Sequence, residues 1–185
     1  MSHFKYFKKK LFIENTSVLN IAKKIKTPFY LYSGKQIEEN YINFAKIFKH
    51  VNPLICFAAK ANTNLTIMRM LGKLGSGADV VSGGELLKAL KAGIKPSKIV
   101  FSGVGKTEDE LKLAIKNEIL LINVESESEA ILINKIGKKI NKIISIGFRI
   151  NPNVDAKTHK KISTGKAENK FGISITNFSS FYKSI

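Results

Sequence analysis

The sequence predicts an α/β protein built on a parallel sheet, and three observations carry that expectation. Short runs rich in Val, Ile and Phe alternate with amphipathic helical stretches. The centres of those runs recur every 20–26 residues. Most of the helical stretches begin or end on capping residues. The runs are nearly continuous in apolar character, which is the pattern of parallel strands covered on both faces.

The elements follow in order. Ser33 precedes a first helix over 35–50, with Ile37, Tyr41, Phe44, Ala45 and Phe48 on one face. The run LICFAAK (54–60) is the first strand, and a helix over 65–74 stops at Gly75. ADVVS (78–82) is the second strand, followed by a helix over 85–92 that ends at Gly93, a residue suited to a left-handed cap. KIVFS (98–102) leads to Thr107-x-x-Glu110, a capping-box pattern ahead of the stripe Leu111, Ala114 and Ile115. ILLINV (119–124) leads to a second such pattern, Ser126-x-x-Glu129, ahead of Ala130, Ile133 and Ile136. IISIGFRI (143–150) is the fifth strand. A doubly wound open sheet and a (β/α)8 barrel both fit a βα repeat. Five units use nearly all of the chain, whereas a complete barrel takes about 250 residues, so periodicity alone favours an open five-stranded sheet. Either architecture puts function at the C-terminal ends of the strands.

Composition narrows the class. With 185 residues, 44% apolar and 24% charged, the chain can bury a substantial core, which excludes a disordered tail or a disulfide scaffold. The single cysteine, Cys56, lies inside an apolar run and reads as a small buried residue. No apolar stretch approaches the roughly 20 residues of a membrane span, and LFI near the N-terminus is too short for a secretion signal, so the expectation is a cytoplasmic protein without membrane contact. The net charge of +17 raises the question of nucleic acid. Only Arg69 and Arg149 are arginines, 29 residues are lysine, and Ile (25) and Asn (15) are abundant, the usage an AT-rich coding sequence produces. The lysines are spread over every segment, unlike the concentrated, arginine-rich surface of a nucleic-acid binder, so no nucleic-acid partner is expected.

Chemistry gathers at the strand ends. The first strand ends in Lys60, the second carries Asp79 and runs into Ser82-Gly83-Gly84-Glu85, the third ends at Ser102-Gly103, the fourth at Asn123 and Glu125, and the fifth at Arg149 and Asn151. By position alone Lys60 has two readings: one of many lysines whose amine reaches water, or a partly desolvated amine made more nucleophilic by its apolar strand. Arg149 is either a survivor of the codon bias or a site that needs a planar, permanent charge. Ser102-Gly103-Val104-Gly105-Lys106-Thr107 imitates a phosphate loop, but the first glycine of that pattern is replaced by Val100, so a tight βα turn with a helix cap is the better reading. Gly75-Ser76-Gly77 lacks the third glycine of a dinucleotide fingerprint, and His3, His50 and His159 have no ligand spacing, so no metal is expected.

Taken together, CFAAKANTN, GADVVSGGELLKALKAG, IVFSGVGKTEDEL, LINVESESE and RINPNVDAKTHKKISTGKAENKFGI resemble the N-terminal portion of the diaminopimelate decarboxylase family. The resemblance extends to TPFYLYS and covers essentially all of the chain. Its most specific part is 149–172; ornithine and arginine decarboxylases share the lysine motif but not this string. It implies a fold-type III barrel using pyridoxal 5′-phosphate (PLP), here as about the first five βα units. Residues 1–32 would lead into the barrel and 33–185 would form an incomplete PLP-binding domain. Lys60 would hold PLP; Asp79, Glu85 and Arg149 would line the cofactor cavity; and His159 and Ser163 would sit on a substrate loop. The reaction implied is removal of a carboxylate from meso-diaminopimelate, giving L-lysine and CO2 in a homodimer.

The family's chains are more than twice as long. The resemblance therefore implies a truncated barrel without the cofactor-stacking histidine, the glycine-rich phosphate loop and the C-terminal β domain, and a chain inactive by itself. The alternatives are a non-catalytic remnant of that enzyme or another PLP barrel enzyme such as an ornithine or arginine decarboxylase.

Overall fold

The structure is a computed structural model that describes residues 3–151 and 172–184. By contacts it divides into two units, Met1–Pro53 and Leu54–Ile185.

The N-terminal unit holds elements that the sequence pattern does not announce. Strands β1 (Phe4–Phe7), β2 (Lys10–Ile13) and β3 (Thr16–Ser17) form an antiparallel meander, with Phe4 opposite Ile13 and Phe7 opposite Lys10. The β1–β2 turn consists of Lys8 and Lys9, both at positive φ (46° and 60°), as a two-residue hairpin turn requires. Those are not the Asn and Gly that usually announce such a turn, so the sequence carries no sign of it. Helices α1 (Val18–Lys24) and α2 (Gly34–Ile47) follow. Ser33 caps α2 by accepting from the Gln36 N–H, and its hydroxyl donates to Glu14 Oε1 at 2.7 Å. Glu14 also accepts from the Lys35 N–H. The Ser33 hydroxyl and then this backbone bond hold the Glu14 carboxyl below the usual range.

The second unit is a parallel sheet of β4 (Cys56–Ala58), β5 (Gly77–Val80), β6 (Ile99–Phe101), β7 (Leu121–Val124) and β8 (Ile146–Phe148), in that spatial order. Helices α3 (Leu65–Lys73), α4 (Gly83–Lys91), α5 (Glu108–Lys116) and α6 (Glu127–Ile140) occupy the connections. Each strand adds beside its predecessor without a reversal. A doubly wound sheet needs a reversal, so the open-sheet choice that periodicity favours is corrected in favour of an arc of a (β/α) barrel. Right-handed crossovers that always step the same way leave every helix on one face. Burial follows that geometry. Ala78, Val80, Ile99, Phe101, Ile122 and Val124 are at most 1% exposed against Leu86, Ala89, Leu111, Ala114 and Ala130 of the helices. On the opposite face Asp79, Val100, Leu121, Asn123 and Gly147 remain half-buried. The expectation of strands covered on both faces is therefore corrected for the described residues: one face packs on helices and the other is the concave interior of the arc.

Most caps are where the sequence places them. Thr107 and Glu110 form the full capping box of α5, and Gly93 ends α4 at φ +86°. Ser126 accepts from the Glu129 N–H, but the Glu129 carboxylate reaches the Glu125 N–H instead of returning to Ser126, so the second capping box is only half formed. A sixth strand, β10 (Ile173–Ser174), pairs in parallel with β9 (Ile150–Asn151) and leads into α7 (Ile175–Ser184). Arg149 bridges β8 and β9: its N–H donates to the Val124 carbonyl and its own carbonyl accepts from the Ile173 N–H. The five expected units are thus extended by a further strand and helix, both too short in apolar pattern to stand out in the sequence.

Candidate active site

The C-terminal ends of these strands carry a polar mouth. Strand β4 is shorter than its apolar run: pairing stops at Ala58, and Ala59–Ala61 form a single 3₁₀ turn closed by the Asn62 N–H on the Ala59 carbonyl. Lys60 projects from that turn and is exposed. The desolvated amine that an apolar strand end suggests is thus not supplied by the described residues, because the turn lifts the side chain off the strand.

Asp79 lies on the concave face of β5, in register with Ala58 of β4 and so one strand away from the turn that carries Lys60. Its Oδ1 accepts from the Ser102 hydroxyl at 2.6 Å, and the Ser102 oxygen in turn accepts from Asn123 Nδ2 at 3.0 Å. Three neighbouring strands are thereby joined by a chain of polar side chains that fixes the Asp79 carboxylate. Gly147 completes the device. A Cβ there would stand 2.8 Å from Asn123 Oδ1, so the absence of a side chain on β8 makes room for the amide. Cys56 faces the same interior two residues before Ala58. It is half-buried rather than fully buried, and desolvation followed by the Asp79 charge pushes its thiol up.

Glu85 sits in the first turn of α4, where its Oε2 accepts from the Val81 N–H at 2.9 Å and Ser82 caps the helix. It organises its own βα turn. Arg149, at the end of the fifth strand, places Nη1 3.1 Å from Glu125 Oε1, which also accepts from the Gly103 N–H at 3.2 Å. The structure therefore joins Asp79 with Ser102 and Asn123, and Arg149 with Glu125, as two neighbouring clusters that meet on β7. His159 and Ser163 lie outside the described residues.

The residue that the sequence gives no sign of is Lys106. In the imitation phosphate loop it turns inward instead of out to a ligand. Its side chain is 1% exposed, and Nζ donates to the Gly103 carbonyl (2.8 Å), the Asn123 carbonyl (2.6 Å) and Glu129 Oε1 (2.7 Å). The ammonium also stands 5.6 Å from the centre of the Phe101 ring, within cation–π range. All three of its protons are used, and the βα turn is tied to the next strand. Nothing marks one buried lysine among 29, and Glu129 looks committed to a helix cap, so the pair has no sequence signal. Among the described residues no group of three His, Cys, Asp or Glu side chains could hold a metal ion, and no helix is long and apolar enough to cross a membrane.

An arc of βα units with its polar side chains gathered at the C-terminal mouth is the architecture of a (β/α)-barrel domain. The family described as "Pyridoxal-dependent decarboxylase, pyridoxal binding domain" matches residues 34–185, and the chain belongs to that family. The chain is 47% identical over 173 residues to diaminopimelate decarboxylase of Aquifex aeolicus, covering 94% of this chain and 41% of the relative. It is 55% identical over 148 residues to the Helicobacter pylori J99 protein of the same name, covering 80% and 36%. Among solved structures, diaminopimelate decarboxylase from M. jannaschii superposes with a TM-score of 0.89 at 40% identity, covering 98% of this chain and 44% of that one. The H. pylori enzyme complexed with L-lysine gives 0.86 at 48% identity, covering 90% and 42%. An arginine decarboxylase from Paramecium bursaria Chlorella virus shares the fold, with a TM-score of 0.71 at 23% identity. The chain spans about two fifths of the length of the curated relatives it matches.

Proposed function

We propose that this chain carries the lysine-bearing part of a PLP-dependent carboxy-lyase that converts meso-diaminopimelate to L-lysine and CO2, in the cytoplasm and within a homodimer. The observation that carries the reading is the exposed Lys60 amine on the turn after β4, beside the strand that bears Asp79 and at the same sheet end as Ser102, Glu125 and Arg149. The names of the relatives, and the L-lysine complex of the H. pylori enzyme, support the substrate.

These residues suit the cofactor. An exposed primary amine can bond covalently to a carbonyl, and anionic and cationic side chains stand around the same mouth. When bound, PLP supplies an electron sink for the charge left behind as CO2 departs. The chain's own residues supply the setting. Lys60 offers the attachment point. Ser102 keeps its proton on Asp79 Oδ1 while Asn123 holds Ser102, so Asp79 presents a fixed negative charge one strand from Lys60. Glu125 holds Arg149, so a permanent positive charge stands at the far side of the mouth. We assign His159 and Ser163 to a loop that favours a substrate with a second, distal amino acid centre.

Substrate choice tests the proposal. The complete polypeptide bearing this segment, loaded with PLP, should release CO2 from meso-diaminopimelate much faster than from ornithine or lysine. Faster release from ornithine would refute it.

A further inference from the structure

Glu125 has a supporting frame that a surface carboxylate would not need. Its side chain is 3% exposed, and its backbone N–H is held by Glu129 Oε2 at 2.8 Å. The other oxygen of Glu129 is held by Lys106, which also fixes the Gly103 carbonyl and the Asn123 carbonyl. A buried ion pair thus fixes both the backbone from which Glu125 springs and the turn that Glu125 contacts. From that support Glu125 spends one oxygen, Oε1, on two donors, the Gly103 N–H and Arg149 Nη1, while Oε2 is buried without a hydrogen-bond partner among the described residues. A buried carboxylate with a bare oxygen is costly as packing, and a neutral acceptor would cap Gly103 equally well. The charge has a counterpart in Arg149, whose backbone is stitched into the sheet on both sides while its side chain stays 40% exposed at the mouth.

We propose that Glu125 is a positioning residue: its buried carboxylate clamps the Arg149 guanidinium against the β6–α5 turn and so sets where the remaining arginine donors point at the strand mouth. The clamp rests on the active-site reading above for its purpose, but not for its existence.

The chain's scarcity of arginine makes the clamp measurable. Arg69 on α3 is exposed and serves as an internal reference for Arg149. Phenylglyoxal modification of the folded chain, followed by peptide mapping, should label Arg149 about tenfold more slowly than Arg69, the protection expected from a charge-assisted hydrogen bond. Glu125→Gln should speed Arg149 labelling several-fold while leaving Arg69 unchanged, and Glu125→Asp, one methylene shorter, should fall between. Equal rates in the unmodified chain would overturn the proposal, as would an unchanged Arg149 rate in a Glu125→Gln chain with native circular dichroism. If Glu125→Gln fails to fold, the Glu125→Asp rate decides in the same way. PLP binding by the complete polypeptide bearing this segment, read as the absorbance that Lys60→Ala removes, gives a second readout. Glu125→Gln and Arg149→Lys should each weaken it several-fold, and the double variant no further; additive losses would overturn a positioning role. If the unmodified complete polypeptide binds no PLP at Lys60, the active-site reading fails while the arginine rates still decide the clamp.

Discussion

Replacing Lys106 by Met keeps the volume of the side chain and removes its charge. The cost follows from what surrounds it. Lys106 and Glu129 are 1% and 9% exposed, so the small values measured for surface ion pairs do not apply. The substitution leaves Glu129 as a buried charge with only the Glu125 N–H opposite it among the described residues, and strips donors from the Gly103 and Asn123 carbonyls. Breaking a buried pair by removing one partner costs about 3–5 kcal/mol. That is a large share of a total stability of about 5–15 kcal/mol. For a chain of this size each kcal/mol corresponds to roughly 2–4 °C, so the melting temperature should fall by roughly 6–20 °C. Thermal and urea unfolding followed by circular dichroism measure the change. The double variant Lys106→Met/Glu129→Gln removes the stranded charge while leaving an amide oxygen for the Glu125 N–H, and should recover about 1–2 kcal/mol relative to Lys106→Met. A shift under about 2 °C for Lys106→Met, or strictly additive effects in the double variant, would refute a buried and coupled ion pair.

Two further outcomes follow from the same geometry. Gly147→Ala puts a methyl group 2.8 Å from Asn123 Oδ1 and 3.3 Å from Leu121 Cδ2; it should displace the amide from Ser102 and destabilise by about 1–3 kcal/mol, read by urea unfolding, and an unchanged midpoint would mean that the three-strand chain is loose. Glu110 accepts from the Gly83 N–H at 2.7 Å and the Thr107 N–H at 3.0 Å, and these bonds, Gly83's first, hold its carboxyl below the usual range. A group with a depressed folded pKa adds stability above its unfolded pKa of about 4.3, and that stability is lost as pH falls through the folded value. Stability profiles of the unmodified chain and Glu110→Gln should therefore converge on acidification below about pH 4.3, and profiles that stay parallel would contradict this.

The parallel strands were legible because their apolar runs are continuous, and the helices because Ser33, Thr107, Ser126 and Gly93 announce their ends. What periodicity could not supply was strand order: an open sheet and a barrel arc share one βα pattern, and only the sequential order β4 to β8 separates them. The β1–β2 hairpin was invisible because its turn uses two lysines at positive φ. At the site, Lys60 and Arg149 were visible as polar residues at the ends of apolar runs, and Asp79 as a charge inside one. Lys106 was hidden because a buried lysine and a solvated one are the same letter, and burial is decided by long-range contacts with Asn123 and Glu129. Glu125 stood at a strand end in the sequence, but its pairing with Arg149 depends on β7 and β8 lying side by side.

Lys60 is proposed as the attachment point for PLP, and the 29 lysines make that a demanding assignment. Borohydride reduction of the complete polypeptide bearing this segment, equilibrated with limiting PLP and followed by peptide mapping, should place the pyridoxyl label on the peptide containing Lys60, and Lys60→Ala should abolish it. A label distributed over other lysines, or one that persists undiminished in Lys60→Ala, would contradict the assignment.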